Sequence, residues 1–318
     1  MRRILLILSL CSNVWFGVTA QQDSSYQEPD SIVYLGDMDA PEEGGIALQP
    51  VISGVTLGIG HGQSRDTYLT PLMYEGTTLT YHYDRMRLYQ RSGIKGLNHL
   101  QTVDVDLMKG EIPSGLASAW SGRLRYRYAG QWMWSFGGRD HAPVQYFIGP
   151  CVGSDLGFNY NLKLANGNNP ATVRFTTNAF VSTGVIAHYK IRQQPCDINL
   201  LVQAPLIGVT YMPDYGGSYY ETFQLNTLDD VEHFTSLHNQ QDLDFRLTTD
   251  IPMYVIRWLR GWDATVRLGF AYHIETMRIN HITTRFSTCE FVFGWSYQYL
   301  PLSRRKVKQY NLKTDYAY

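Results

Sequence analysis

Once its first ten residues are past, the chain has no long hydrophobic run. Nothing after that point approaches the roughly 20 apolar residues a membrane helix needs. Charge is sparse at 17% and nearly balanced, with 27 Lys and Arg against 28 Asp and Glu. That leaves no basic field for nucleic acid. Cysteine is also scarce, at four. Cys11 falls in the leader, and the other three, Cys151, Cys196 and Cys289, are odd in number and widely spaced. They make neither a disulfide framework nor a zinc spacing. A Cys151 to Cys196 bridge stays open beside the simpler reading of three thiols in apolar surroundings. No G-x-G-x-x-G, phosphate loop, metal-ligand cluster or heptad is present, so neither cofactor nor metal is expected.

What the chain does have is Tyr and Gly, 23 and 28 of them, in a composition that is 44% hydrophobic and 14% aromatic. Such richness with so little charge suits a β-rich wall that faces something other than water. Residues 1–20 read as a secretory signal peptide. Arg2 and Arg3 precede an apolar run from Ile4 to Leu10, and Val18-Thr19-Ala20 offers the cleavage site. Removing it takes away two arginines and no acid, which leaves the mature chain mildly acidic.

One stretch, 120–136, organises the rest. At strand period Leu124, Tyr126, Tyr128, Trp132, Trp134 and Phe136 point one way, while Arg123, Arg125, Arg127, Gln131 and Ser135 point the other. An apolar aromatic face thus lies back to back with a guanidinium ladder. The pattern recurs. Leu79, Tyr81 and Tyr83 oppose Thr80, His82 and Asp84, after which phase is lost around 85–88, as at a bulge or the end of a membrane zone. Val103, Val105 and Leu107 oppose Asp104 and Asp106. A hairpin through 110–118 would bring Asp104 near Arg125 and Asp106 near Arg123, opposite charges on the polar face. Residues 144–164 and 171–189 alternate as one long hairpin. Residues 198–212 change phase near Pro205, which fits a bulge. Further alternation covers 242–248, 266–275 and 290–299.

Two-faced runs behind a signal peptide predict an all-β fold: a single transmembrane antiparallel up-and-down β-barrel of about ten strands, with twelve as the alternative. Residues 21–48 read as a loose periplasmic lead-in, 49–300 as the barrel, and 301–318 as a basic periplasmic tail. With the N-terminus periplasmic, loops after odd-numbered strands face outward, the longest being 62–76 and 213–240. A secreted β-sandwich or lipocalin-like barrel would also alternate. The glycines among the charges, Gly149, Gly153, Gly157, Gly269 and Gly294, suit a narrow interior better than an open surface.

Asp66-Thr67-Tyr68-Leu69-Thr70-Pro71-Leu72, Asn166-Gly167-Asn168-Asn169-Pro170-Ala171 and Pro213-Asp214-Tyr215-Gly216-Gly217-Ser218-Tyr219-Tyr220-Glu221, followed by Ser236-Leu237-His238-Asn239, stand in order across the mature chain. By these stretches it resembles a family of Gram-negative outer-membrane barrel proteins known only as a domain of unknown function. The resemblance implies the outer membrane and a barrel, and supplies no activity. The last strand resembles a barrel-assembly signal, Gly294 followed by Tyr297 and Tyr299, but has Val292 where a polar residue is usual.

Two functional classes follow. In the first, the protein is a structural, surface-binding or narrow-channel barrel. Its lumen is filled by a charge network of Asp104, Asp106, Arg123, Arg125, Arg127 and Arg174, since ten strands make a narrow bore. In the second, it is an outer-membrane hydrolase acting on lipid or peptide at the extracellular rim. Ser236, His238 and Glu221 would then supply nucleophile, base and carboxylate, with His61, Asp66, Asp242 and Asp244 in reach of that end. The bland reading of these groups is a solvated loop bonding its own backbone. Asp66, Tyr68, Tyr219, Tyr220 and His238 are the candidates for a ligand at the outer loops. Expected partners are outer-membrane lipid and lipopolysaccharide, the barrel-assembly machinery and a surface ligand, with no nucleic acid.

Overall fold

The computed structural model describes residues 51–87, 97–136, 144–162, 170–191, 194–212, 231–253, 265–279 and 281–299. The leader, the lead-in, the basic tail, Glu221, Tyr219 and Tyr220 lie outside the described residues. Eleven strands follow in order: β1 (Val51–Asp66), β2 (Thr70–Arg87), β3 (Leu97–Glu111), β4 (Ser118–Phe136), β5 (Val144–Asn161), β6 (Ala171–Ile191), β7 (Gln194–Tyr211), β8 (Glu232–Ser236), β9 (Gln240–Pro252), β10 (Thr265–Ile279) and β11 (Ile282–Tyr299). Among the described residues no helix is long and apolar enough to cross a membrane.

Each strand pairs antiparallel with its neighbours, and β1 pairs with β11 along its whole length, so the sheet has no open edge. β8 and β9 both pair with β7, β8 opposite Ile207 to Tyr211 and β9 opposite Asp197 to Gln203. They are two segments of one wall strand interrupted at residues 237–239, and the closed barrel therefore has ten staves.

Paired residues can be traced round the wall from Tyr211 through Phe175, Leu156, Leu124, Val105, Tyr81, Leu57, Phe293, Leu268 and Thr249. The path comes back to β7 at Ile198, well below its start. This stagger is what closing a sheet of tilted strands requires.

Alternation sorts side chains to the two sides of the wall. Val152, Phe270 and Ile59 point outward and are 58%, 58% and 55% exposed, whereas Arg123, Arg125 and Arg127 point inward and are buried. Aromatic pairs stand on the outer face near both ends, Phe175 with Tyr211 and Trp134 with Tyr146. Phe158 lies across Gly122 of the neighbouring strand, where a Cβ would meet its ring at 2.1 Å. The glycine gives the aromatic ring a seat on the wall.

Several expectations are corrected. Residues 62–76 are not a long loop: β1 and β2 stay paired to Arg65 opposite Met73, and the chain turns within 67–69. Asp66 bonds the backbone N–H of Tyr68, and Thr67 donates to the Thr283 carbonyl, so turn chemistry replaces the loop. The β2 ladder continues to Arg87 without a bulge, and the phase loss in its sequence is only a row of outward polar residues at the lower end. Residues 232–236 of the long outer stretch are strand. The bulge near Pro205 is present, with the register shifting between Ala179 and Phe180 where Leu206 is the extra residue.

Cys151, Cys196 and Cys289 are all reduced. Cys151 pairs with Phe180 and Cys196 with Tyr189, roughly 30 Å away along β6 at a strand's rise per residue. A bridge needs Cα atoms within about 7 Å, so these two cannot form one.

Candidate functional site

Even-numbered residues of β1, β2, β3 and β9 and odd-numbered residues of β4, β5 and β10 turn into the barrel, and among the described residues most of the acids and arginines face inward. The result is a column of charge running through the lumen. We call the end bearing the β1–β2, β3–β4, β5–β6, β7–β8 and β10–β11 connections the upper end.

At the top, Asp66 accepts hydrogen bonds from Asn159 Nδ2 at 2.9 Å and Thr172 Oγ1 at 2.6 Å. Below it Arg174 reaches Glu275 at 2.5 Å and Thr284. Arg123 lies 3.5 Å from the same Glu275 and rests over the ring of Phe286. In the middle, Arg125 bonds Asp106 at 2.6 Å and also Asp244. Arg127 contacts Asp244, Asp242 and Gln203, with its guanidinium 4.3 Å from the centre of the Phe180 ring. His82 pairs with Asp104 at 2.7 Å, and Arg246 reaches the same carboxylate at 2.5 Å. At the bottom, Arg267 forks onto both oxygens of Asp250 at 2.7 and 2.8 Å and reaches Asp84 at 2.6 Å.

Glycines make room for this packing. A Cβ at Gly54 would sit 2.1 Å from the Arg267 guanidinium, and one at Gly157 would sit 2.6 Å from that of Arg123. Two apolar clusters flank the column. Leu100, Ala129, Cys151 and Phe180 cluster with Met86 and Leu201 on the lower side, and Met212, Met277, Ile279 and Ile282 cluster with Tyr68 at the mouth. Two lumen cavities each offer about 10 Å³, room for a single water molecule.

The backbone register sets Asp104 opposite Arg125 and Asp106 opposite Arg123. The side chains do not pair straight across. Arg125 steps along the strand to Asp106 and across the lumen to Asp244, while Asp104 is taken by His82 and Arg246. In a narrow bore the far wall is as close as the neighbouring strand, and long guanidinium stems use that freedom. His82, Asp84, Asp250, His273 and Glu290 also join the column. Their phase on the polar side of each strand was the available signal, whereas their partners across the lumen follow only from closure.

Of the rim candidates, Asp242 and Asp244 are not at the rim but in mid-lumen. With His273 they bring ligand-type atoms within 4.8 Å of one another. Arg125 and Arg127 already lie on these carboxylates and supply the positive charge that a metal ion would bring. Asp66 faces inward and is buried; His61 lies on β1 and faces outward, exposed. Ser236 and His238 do meet, Ser236 Oγ against His238 Nδ1, in the interruption between β8 and β9. The Asn239 side chain closes the same turn, accepting from Ser236 N at 2.8 Å and donating to the Phe234 carbonyl at 2.9 Å. Among the described residues no carboxylate bonds that histidine. Ser236→Ala and His238→Ala are expected to leave the barrel's unfolding midpoint unchanged and to remove no hydrolytic activity, read by urea titration and by turnover of ester and peptide substrates.

The sequence pattern described as "Protein of unknown function (DUF3316)" matches residues 6–306. No curated protein matches the chain. The solved structures similar to the chain include three outer-membrane barrels. The outer membrane protease OmpT from Escherichia coli shares 7% identity, covering 79% of this chain and 97% of that one, with a TM-score of 0.39. The β domain of the Bordetella autotransporter BrkA shares 10% over 77% and 98%, at 0.34. The translocator domain of the autotransporter NalP from Neisseria meningitidis shares 7% over 81% and 90%, at 0.32.

Proposed function

The chain belongs to this family of proteins of unknown function, and we propose that it is an outer-membrane barrel with a structural or surface-binding role whose lumen is closed to solutes. Its outward apolar belt and closed sheet meet the two demands of hydrocarbon, which are apolar contact and a fully paired backbone. The observation that supports the closed reading is the column from Asp66 to Asp250, whose ion pairs cross the bore, with room for about one water in each of two cavities beside it. A diffusion channel needs a continuous wet path, and here guanidinium and carboxylate groups from opposite walls meet across the bore. The barrel then holds its outer connections in place at the cell surface.

Planar bilayers test this reading. The purified full chain should insert, migrate differently on gels before and after boiling, and give no stable unit conductance. Steady ion flow through the wild-type protein would refute the closed lumen. Recovery of the protein mainly from the soluble periplasmic fraction would refute the membrane barrel itself.

A further inference from the structure

We propose that the outer wall of β1, β10 and β11 carries, near its upper end, a site for the phosphate groups of a phosphorylated outer-leaflet lipid, formed by Arg65, Arg285 and Arg278. The proposal rests on the reading that this end of the barrel faces the cell exterior.

Arg65 and Arg285 are direct cross-strand partners, and Arg278 stands diagonally next to Arg285, whose partner on β10 is Thr276. Their neighbours Ser64, Asp66, Thr284, Phe286, Met277 and Ile279 are buried in the barrel, so the three arginines lie on the outer face. Like charges directly opposite one another on a sheet face repel. Nothing on the wall relieves that repulsion, since among the described residues none of the three forms an ion pair. The nearby carboxylate of Glu75 accepts instead from Gln63. The Nε atoms of Arg65 and Arg285 are shut away from solvent and have no hydrogen-bond partner.

The arginines also mark a change in the outer belt. On β4 to β7 the wall stays apolar close to its upper edge, ending in Trp120, Tyr160, Val173 and Tyr211. On β1 and β11 the outward side chains turn polar at His61 and Ser287, and then cationic at Arg65 and Arg285. The headgroup level therefore reaches further down this sector. A guanidinium presents a planar fork that matches phosphate oxygens, and three of them converging at headgroup depth suit phosphate carried by a lipid lying against the wall. They face sideways into that layer, away from the mouth of the lumen, which favours a lipid phosphate over one free in solution.

The test uses the purified full chain in nanodiscs. Binding of lipopolysaccharide carrying its lipid A phosphates is compared with binding of the dephosphorylated form and of inorganic phosphate. Arg65→Gln with Arg285→Gln should weaken binding of the phosphorylated form by about tenfold or more, and Arg278→Gln should weaken it further. Arg285→Lys should recover part of the loss, because it keeps the charge and drops the fork. Arg85→Gln, outward at the opposite end, should change nothing. Equal affinity for the phosphorylated and dephosphorylated forms overturns the site, and so does tight binding of inorganic phosphate alone. Boiling-dependent gel mobility separates the two levels of failure. A chain that never inserts overturns both the membrane reading and the site, whereas an inserted barrel indifferent to all three arginines overturns the site only.

Discussion

Arg125→Ala should destabilise the barrel by about 3 to 5 kcal/mol, measured by reversible urea unfolding from lipid vesicles. The guanidinium is buried and bonds Asp106 at 2.6 Å as well as Asp244. Its loss strands Asp106 and leaves Asp244 with fewer partners in a bore that holds little water. A charge left unpaired in such a place costs more than the pair contributed. Arg125→Ala together with Asp106→Ala should therefore cost less than the sum of the two single changes. The same cycle on Asp104 and Arg246, 2.5 Å apart, should show comparable coupling. Asp104 with Arg125 should couple more weakly although their backbones are paired, because His82 and Arg246 hold that carboxylate. Equal coupling for all three pairs would mean that the partners across the lumen are misassigned.

Val152→Arg tests the other face of the wall. This valine is 58% exposed on the outer side of β5. If it sits near the bilayer midplane, an arginine there should cost about 2 to 4 kcal/mol in the same unfolding assay. Val152→Leu should cost almost nothing. A large cost for both would place Val152 in a packed protein contact and not against lipid. The lumen face does not offer the cheap counterpart that strand phase alone suggests. Ser182 accepts hydrogen bonds from Gln131 and Gln203, and Asn159 is tied to Asp66 and Ser64. An arginine at either position would have to displace a satisfied side chain from a filled bore, so overpacking takes the place of hydrocarbon as the source of the penalty.

These contrasts show which parts of the molecule can be read along the chain. Inside and outside could be read because side-chain direction is local: Arg123, Arg125 and Arg127 alternate with Leu124 and Tyr126 whatever surrounds them. The hairpin register of β3 and β4 could be read for the same reason, being set by a short connection. The partners that Asp104 and Arg125 find on β9, Arg246 and Asp244, could not. That strand is far away in sequence and comes near β3 and β4 only once the sheet has curled shut. The 62–76 segment failed as a loop because its glycines and polar residues resemble turn material, although the pairing of β1 with β2 holds them as strand. Asp242 and Asp244 failed as rim residues for a related reason, since a loop expected to end near Gln240 hid the return of the chain to the wall at β8.

Closure of β1 onto β11 also bears on how the barrel is made. Val51 lies opposite Tyr299, and the seam continues to Asp66 opposite Thr284, so its partners stand at opposite ends of the described chain. Every other junction joins strands that follow one another in sequence. The seam alone must wait for the whole wall, and until it forms two strands expose unpaired N–H and C=O groups to lipid. Such a large loop is the slowest to close, which places the last pairing step at the end of folding. Removing β11 should therefore not yield a nine-staved barrel of reduced stability. It should leave a chain without a folded state in the membrane.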